Sequence, residues 1–321
     1  MILLFLCCLA LLFPIVSADG WDDFSNNLAT DLAPFVSLFG EQMTKQYISE
    51  SITKLDYFIF AMAPMGILTA VVSAIRVCGS ASLRAFVGRA QEGGGNAEAE
   101  LCSSTSRDVC ELYNNGGIAR VFGRPKILEI VFEPNVREVE RFDAGSNAGI
   151  HTFQDYVQPS SSQKEWVVPE DFEVESNREA YAPNLSLNIG IKRRGFKVFV
   201  AVAALGVFLQ VGVLAFALVV TYVLQWDKDG QQPESYACPL TIIGTVFVCG
   251  GIYLCAFIIG QSTKEYVFSR PKLVEQKDRS IIYWVQPGLQ TLGDQTFDSF
   301  CYSDGKKALQ QYTTSWKRSK K

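Results

Sequence analysis

Histidine is almost missing: the 321 residues contain only His151. That count excludes multi-histidine metal sites, and any catalytic pair using imidazole would have to recruit this one residue. Charge is sparse and not basic. Asp, Glu, Lys and Arg make up 19% of the chain and leave a formal net charge of −4, so the basic face that a nucleic-acid footprint needs has no global support. Cys-x-x-Cys pairs, G-x-G-x-x-G and G-x-x-x-x-G-K-[ST] are also absent, which removes the usual zinc, dinucleotide and P-loop signatures. No ankyrin or other solenoid period is visible. Apolar residues are what the chain has in excess: 48% are hydrophobic and the mean hydropathy is +0.13. That balance points to membrane spans rather than to two soluble domains.

Four apolar runs carry this expectation. MILLFLCCLALLFPIVSA (1–18) reads as a signal peptide ending on Val16-Ser17-Ala18. With no Lys or Arg ahead of the run and Pro14 inside it, a retained anchor is the alternative. Residues 57–75, 198–224 and 240–260 are each long enough, or nearly so, to cross a bilayer core that needs about 20 apolar residues. The first is the shortest and carries Pro64; the second contains one strongly polar residue, Gln210. The expected fold class is therefore a multi-pass α-helical membrane protein, a signal peptide plus three transmembrane helices, with a small cytoplasmic α+β module.

Basic residues near spans are retained on the cytoplasmic side. Segment 19–56 has 2 basic and 7 acidic residues and 225–239 has 1 and 3, whereas 261–321 has 11 and 6. Arg76, Arg84 and Arg89, then Lys192, Arg193, Arg194 and Lys197, then Lys264, Arg270 and Lys272 crowd the span ends. The map that follows places 19–56 in the lumen or outside the cell, 76–197 in the cytoplasm, 225–239 in a short outer loop and 261–321 in the cytoplasm. The integral membrane would belong to the secretory pathway or be the plasma membrane. Only Cys238 then faces outward, which argues against a disulfide framework. The one sequon, Asn184-Leu185-Ser186, is expected to stay unglycosylated.

Outside the spans, Leu28 to Phe39 and Met43 to Leu55 show three- and four-residue apolar spacing. They read as amphipathic helices lying on the membrane interface or packing as a lid. Helices are predicted over Ser82–Gln91, Ala97–Cys102 and Arg107–Asn114, the last from a capping-box pattern at Thr105–Asp108. Strands are predicted over Gly117–Phe122, Lys126–Phe132, Leu185–Ile191 and Ser280–Gln286, and the last is expected to complete the sheet that the earlier ones begin. Residues 134–183, rich in Asp, Glu, Ser, Pro and Gln, read as a disordered, solvated loop.

Chemistry-bearing clusters are few. Cys102 and Cys110 are eight apart and read as reduced structural thiols; His151 reads as an exposed loop residue; Gly116–Lys126 (GGIARVFGRPK) reads as a hairpin with exposed arginines rather than a phosphate cradle. No Asp, Glu, Lys, Arg or His lies inside a run proposed to span, which disfavours ion-coupled transport. No catalytic, cofactor-binding or metal residue is nominated, and no cofactor is expected.

At 20–51 (GWDDFSNNLATDLAPFVSLFGEQMTKQYISES), 61–93 and 97–131, with further blocks at 183–191 and 283–300, the chain resembles a family of uncharacterised fungal multi-pass membrane proteins, some of whose members carry C-terminal ankyrin repeats. The resemblance implies membrane location and brings no activity. No T-P-L-H-type repeat occurs before Lys321, so the chain reads as a short member or a truncated gene model. The function expected is an anchored scaffold or sensor, not an enzyme, with the lipid bilayer and a cytoplasmic protein as partners, no nucleic acid, and homo-oligomerisation left open. A subunit of an oligomeric channel is the alternative; a membrane-bound enzyme comes third.

Overall fold

The computed structural model describes residues 40–63, 66–133, 149–157, 165–170, 172, 182–190, 195–225, 234–271, 279–305 and 308–318; about 49% of these are helical and 23% lie in strands of several sheets. The expected signal peptide and the first part of the outer segment lie outside the described residues, as does most of the expected outer loop. The three-span, multi-pass architecture is overturned. Among the described residues, two helices are long and apolar enough to cross a membrane, 196–224 and Ala237–Gln261, and they are joined to a substantial α+β body.

The segment read as the first span is two helices. Helix α1 covers 40–50, α2 Lys54–Met62 and α3 Ile67–Cys78. A capping box starts α2: Asp56 N donates to Thr53 Oγ1 at 3.2 Å and Thr53 N to Asp56 Oδ2 at 2.8 Å. The run is interrupted where the sequence places Pro64, which has no N–H, and Gly66, whose φ of +66° is left-handed. The chain then turns back. Tyr57, early in α2, sits so closely against Gly260 that no side chain fits there. Cys78, at the end of α3, donates its thiol to the carbonyl of Ile258 at 3.5 Å. Met62 lies further up, its carbonyl accepting from Gln210 Nε2 at 2.9 Å. Both ends of the 57–75 segment thus meet the same end of the long helix, and its middle does not.

That long helix is α8 (Ala237–Gln261), following α7 (Phe196–Leu218), which continues as a wider π-helical stretch over Val219–Leu224. In α8, Ile252, Ala256 and Ile259 bury a single stripe against Phe60, Ala61 and Ala70 of α2 and α3. Elsewhere α7 and α8 leave Phe208, Val213, Val223, Val246 and Phe247 exposed.

After α3 come two short helices, α4 (Ala81–Phe86) and α5 (Gly94–Leu101), then β1 (Val109–Asn114) and β2 (Gly117–Phe122), which form an antiparallel hairpin. The helix predicted over 107–114 is therefore a strand. Asn115 and Gly116 have φ of 43° and 93°, so the Asn-Gly that follows is a two-residue hairpin turn. Strands β3 (Leu128–Phe132), β4 (Ile150–His151), β6 (Ile281–Gln286) and β9 (Phe300–Ser303) form one sheet in the order β4-β3-β6-β9, with Val131 opposite Ile282. The expected pairing of 126–132 with 280–286 across the long helices is present. Strand β5 (Thr263–Ser269) leaves α8 after one residue and pairs with β10 (Gln311–Lys317), while β7 (Gln290–Leu292) and β8 (Gln295–Phe297) make a small hairpin.

The third strand candidate, 185–191, is instead a helical turn over Ser186–Gly190. Asn184 Oδ1 accepts from Ser315 N at 2.9 Å and Nδ2 donates to Ser315 O at 3.3 Å; Asn188 does the same to Thr313 at 2.8 and 2.9 Å. Two carboxamides stand in for a neighbouring strand on the edge of β10 away from β5, beside the single bridge that Thr105 makes there. Four helical residues rise about 6 Å and two strand residues about 7 Å, so an Asn pair at i and i+4 matches alternate strand positions. The expected solvated loop also needs correction. Its polar sequence carries isolated aromatic anchors: helix α6 (Phe153–Tyr156) and Trp166 place Phe153, Tyr156, Val157 and Trp166 in the main core, with Phe268, Trp284, Tyr312 and Trp316.

Candidate functional site at the helix–module junction

Sequence reasoning nominated no site. The side chains with the most constrained chemistry gather where the apolar helices meet the α+β module. Arg76, in the last turn of α3, is buried; its Nε donates to Glu92 Oε2 at 2.9 Å and its Nη2 bridges Glu92 and Glu100. Lys45 of α1 reaches Glu100 Oε1 at 2.5 Å and Glu41 at 2.7 Å. Glu100 belongs to α5, so cations from either side of the 57–75 segment converge on one module carboxylate. The Arg76 guanidinium holds the Glu92 carboxyl below the usual carboxylate range.

Above this cluster, Gln210 has a structural task. An interrupted helix leaves carbonyls without intrahelical partners, and Gln210 donates to one of them, on Met62, from the neighbouring α7. Thr241 and Thr245 donate to carbonyls four residues back in α8, on Ala237 and Thr241.

Beside the cluster, a cavity of about 790 Å³ opens between the ends of α3 and α8 and the module. Val77, Cys78 and Ile258 line it together with Arg107, Lys317 and Arg318. Two carboxylates also border it. Glu98 is buried, held by Lys317 Nζ at 3.1 Å and Ser104 at 3.0 Å, while Asp108 pairs with Arg124 at 3.0 Å.

Deeper in the module, Glu129 on β3 has no cation partner among the described residues. Its Oε1 accepts from Tyr312 Oη at 2.5 Å and Trp284 Nε1 at 2.8 Å. Burial pushes this carboxyl up to about 7, with the two hydrogen bonds opposing the shift. Arg270 is also enclosed, 2.9 Å from Glu165 and 3.2 Å from Asp304, with its guanidinium over the Trp166 ring. Neither arrangement is legible in the sequence, because the partners lie 34 to 183 residues apart or in segments that read as loop.

The residues weighed from sequence are dispersed. Cys102 and Cys110 are buried, their thiols pushed up to about 11 and about 12 by desolvation, which keeps them protonated and unreactive at neutral pH. His151 lies in β4 beside Tyr156 rather than in an exposed loop. Arg120, expected to be an exposed hairpin residue, pairs with buried Glu111 at 2.6 Å and donates to the carbonyls of Ala99, Ser103 and Ser104; Arg124 is exposed. Asn184, the sequon residue, is buried under β10. Among the described residues, no group of three or more His, Cys, Asp or Glu is placed to hold a metal ion. No family model, no curated protein and no solved structure matches the chain.

Proposed function

We propose that the protein is a membrane-anchored scaffold or sensor in which α7 and α8 cross the bilayer as a pair, the α2–α3 bend dips into it from one side, and the α+β module binds a protein partner at the cytoplasmic face. Kinship with the fungal membrane family is proposed with it, on the sequence blocks at 20–51, 61–93 and 97–131. The observation that carries this reading is the way the chain closes: β3 precedes the two long helices, β6 follows them, and the two strands pair directly. One residue separates α8 from β5. With so little linker, a change in the tilt or separation of the helices is transmitted to β5 and its partner β10 rather than absorbed.

The apolar surface supports the anchoring. Leu68 of α3 and Phe86 of α4 are 81% and 87% exposed, and α7 and α8 carry similarly bare apolar faces, surfaces that water disfavours and lipid accepts. Arg76, Arg84 and Arg89 follow at the level where the apolar segment ends. In this topology residues on both sides of the α2–α3 bend lie with the module. The channel alternative gains no support, since Gln210, Thr241 and Thr245 are engaged with backbone carbonyls.

Two measurements test the reading. Carbonate extraction of cell membranes should leave the full chain in the pellet; release into the supernatant would remove the anchor. Hydrogen exchange in nanodiscs of thin and thick lipids should change protection in β5 and β6 together with the ends of α7 and α8. Identical exchange in the sheet across the thickness series would leave the anchor without the sensing role.

A further inference from the structure

We propose that the cavity at the end of α8 is a binding site for the phosphate-bearing headgroup of an anionic phospholipid, with its acyl chains lying along Val77 and Ile258. The inference rests on the membrane-anchored reading, because it takes the end of the apolar helix as the level of the lipid headgroups. The observations are the position of the cavity, its volume of about 790 Å³ and its charge. Arg107, Lys317 and Arg318 reach it from the β1 approach and from the end of β10, two separate segments. Of the two bordering carboxylates, Glu98 is held by Lys317 and Ser104, and Asp108 by Arg124. Among the described lining residues, three cations, Arg107, Lys317 and Arg318, stand against the two carboxylates. The negative end of α8, which would repel an anion, is muffled: Ser262 and Thr263 hydroxyls donate to the carbonyls of Ile259 and Gly260, and Arg318 N donates to the carbonyl of Ser262. Basic pockets at the cytoplasmic ends of membrane helices suit phosphate headgroups, and Val77 and Ile258 give the same cavity apolar lining for the chains of such a lipid.

The test uses the full chain in phosphatidylcholine nanodiscs, titrated with dioctanoyl phosphatidic acid, dioctanoyl phosphatidylcholine or inorganic phosphate. Phosphatidic acid should bind saturably, phosphatidylcholine should not, and inorganic phosphate should bind far more weakly because it lacks the chains. Replacing both Arg107→Gln and Arg318→Gln should weaken phosphatidic acid binding about 25-fold, at about fivefold for each lost charge, while Arg124→Gln changes it little. A readout without substitution guards against misfolding. Cys78 lines the cavity and is exposed, as is the remote Cys301; phosphatidic acid should slow maleimide modification of Cys78 and leave Cys301 unchanged. Equal affinity of the double variant and the native protein, or unprotected Cys78 at saturating lipid, would overturn the site. Inorganic phosphate binding as tightly as the lipid would overturn the lipid source. Carbonate extraction of the same protein separates the two claims: a pelleted protein with no lipid preference refutes the site and leaves the anchor standing.

Discussion

Phe268 and Phe208 are the same residue in two apolar regions, and they differ in exposure, 0% against 72%. Phe268 lies in the module core, edge-on to Phe153 at 5.1 Å and to Phe172 at 5.1 Å. Phe208 projects from α7 with no comparable enclosure. The module solves the usual problem of a water-soluble body by folding its aromatics inward. The α7–α8 pair has a higher density of apolar residues, yet only 6% and 17% of their most hydrophobic stretches are buried. The difference teaches that composition marks where apolar residues are, and that only packing shows whether protein or another apolar solvent covers them. Between these extremes lies the α2–α3 bend, where Phe60, Ala61 and Ala70 are enclosed against α8 while Leu68 is bare.

The sharpest way to break this comparison is to truncate both phenylalanines. Phe268→Ala should destabilise the module by about 3–5 kcal/mol, read as a lower thermal midpoint. Because the core joins both sides of the long helices, proteolysis should increase near 118–132 and near 281–303 together. Cleavage in only one region would mean that the two parts of the sheet unfold independently.

Arg76→Gln tests the boundary between the regions. It leaves Glu92 enclosed beside Glu100 without the guanidinium, at a cost of about 3 kcal/mol. Glu129→Gln tests the module's own polar core. Since burial raises the Glu129 carboxyl to about 7, the folded state holds a proton that the unfolded state, with an ordinary value near 4.5, releases first. Stability from this group is present below pH 4.5, falls as pH rises toward 7, and is gone above it. The loss amounts to about 3 kcal/mol at 1.36 kcal/mol per unit. The Gln variant should flatten that slope and melt higher at pH 8; an unchanged slope would place the titration elsewhere. Gln210→Leu removes one donor to Met62 and should cost about 1–3 kcal/mol. Smallest of all, Phe208→Ala should stay within about 0.5 kcal/mol in a bilayer; a loss comparable to that at Phe268 would show that α7 has a protein neighbour on its bare face.

Local chemistry in the sequence was a good guide to some elements and a poor one to others. The alternation in 281–286 survives as buried Ile282, Trp284 and Gln286, and the long apolar runs are helices. Asn115-Gly116 suited both a helix stop and a hairpin turn, and the β-branched and aromatic residues of 109–113 decided for the strand only once β2 paired with it. The 185–191 stretch alternates as a strand would, but its Asn188, together with Asn184 just before it, caps β10 from a helical turn. The junction was illegible for a simpler reason: Lys45, Arg76 and Glu100 become neighbours only because 57–75 turns back, and hydropathy records length and apolarity, not direction.

The direction of that segment is the central claim, and cysteine modification in sealed membrane vesicles tests it. Native Cys78 and Cys301 mark the module side, Ser235→Cys marks the opposite side, and Glu50→Cys, exposed at the end of α1, reports the far end of the bend. Impermeant maleimide added from the module side should modify Glu50→Cys together with Cys78 and Cys301 while sparing Ser235→Cys. Modification of Glu50→Cys only from the side that labels Ser235→Cys would mean that 57–75 crosses the bilayer and would contradict the account.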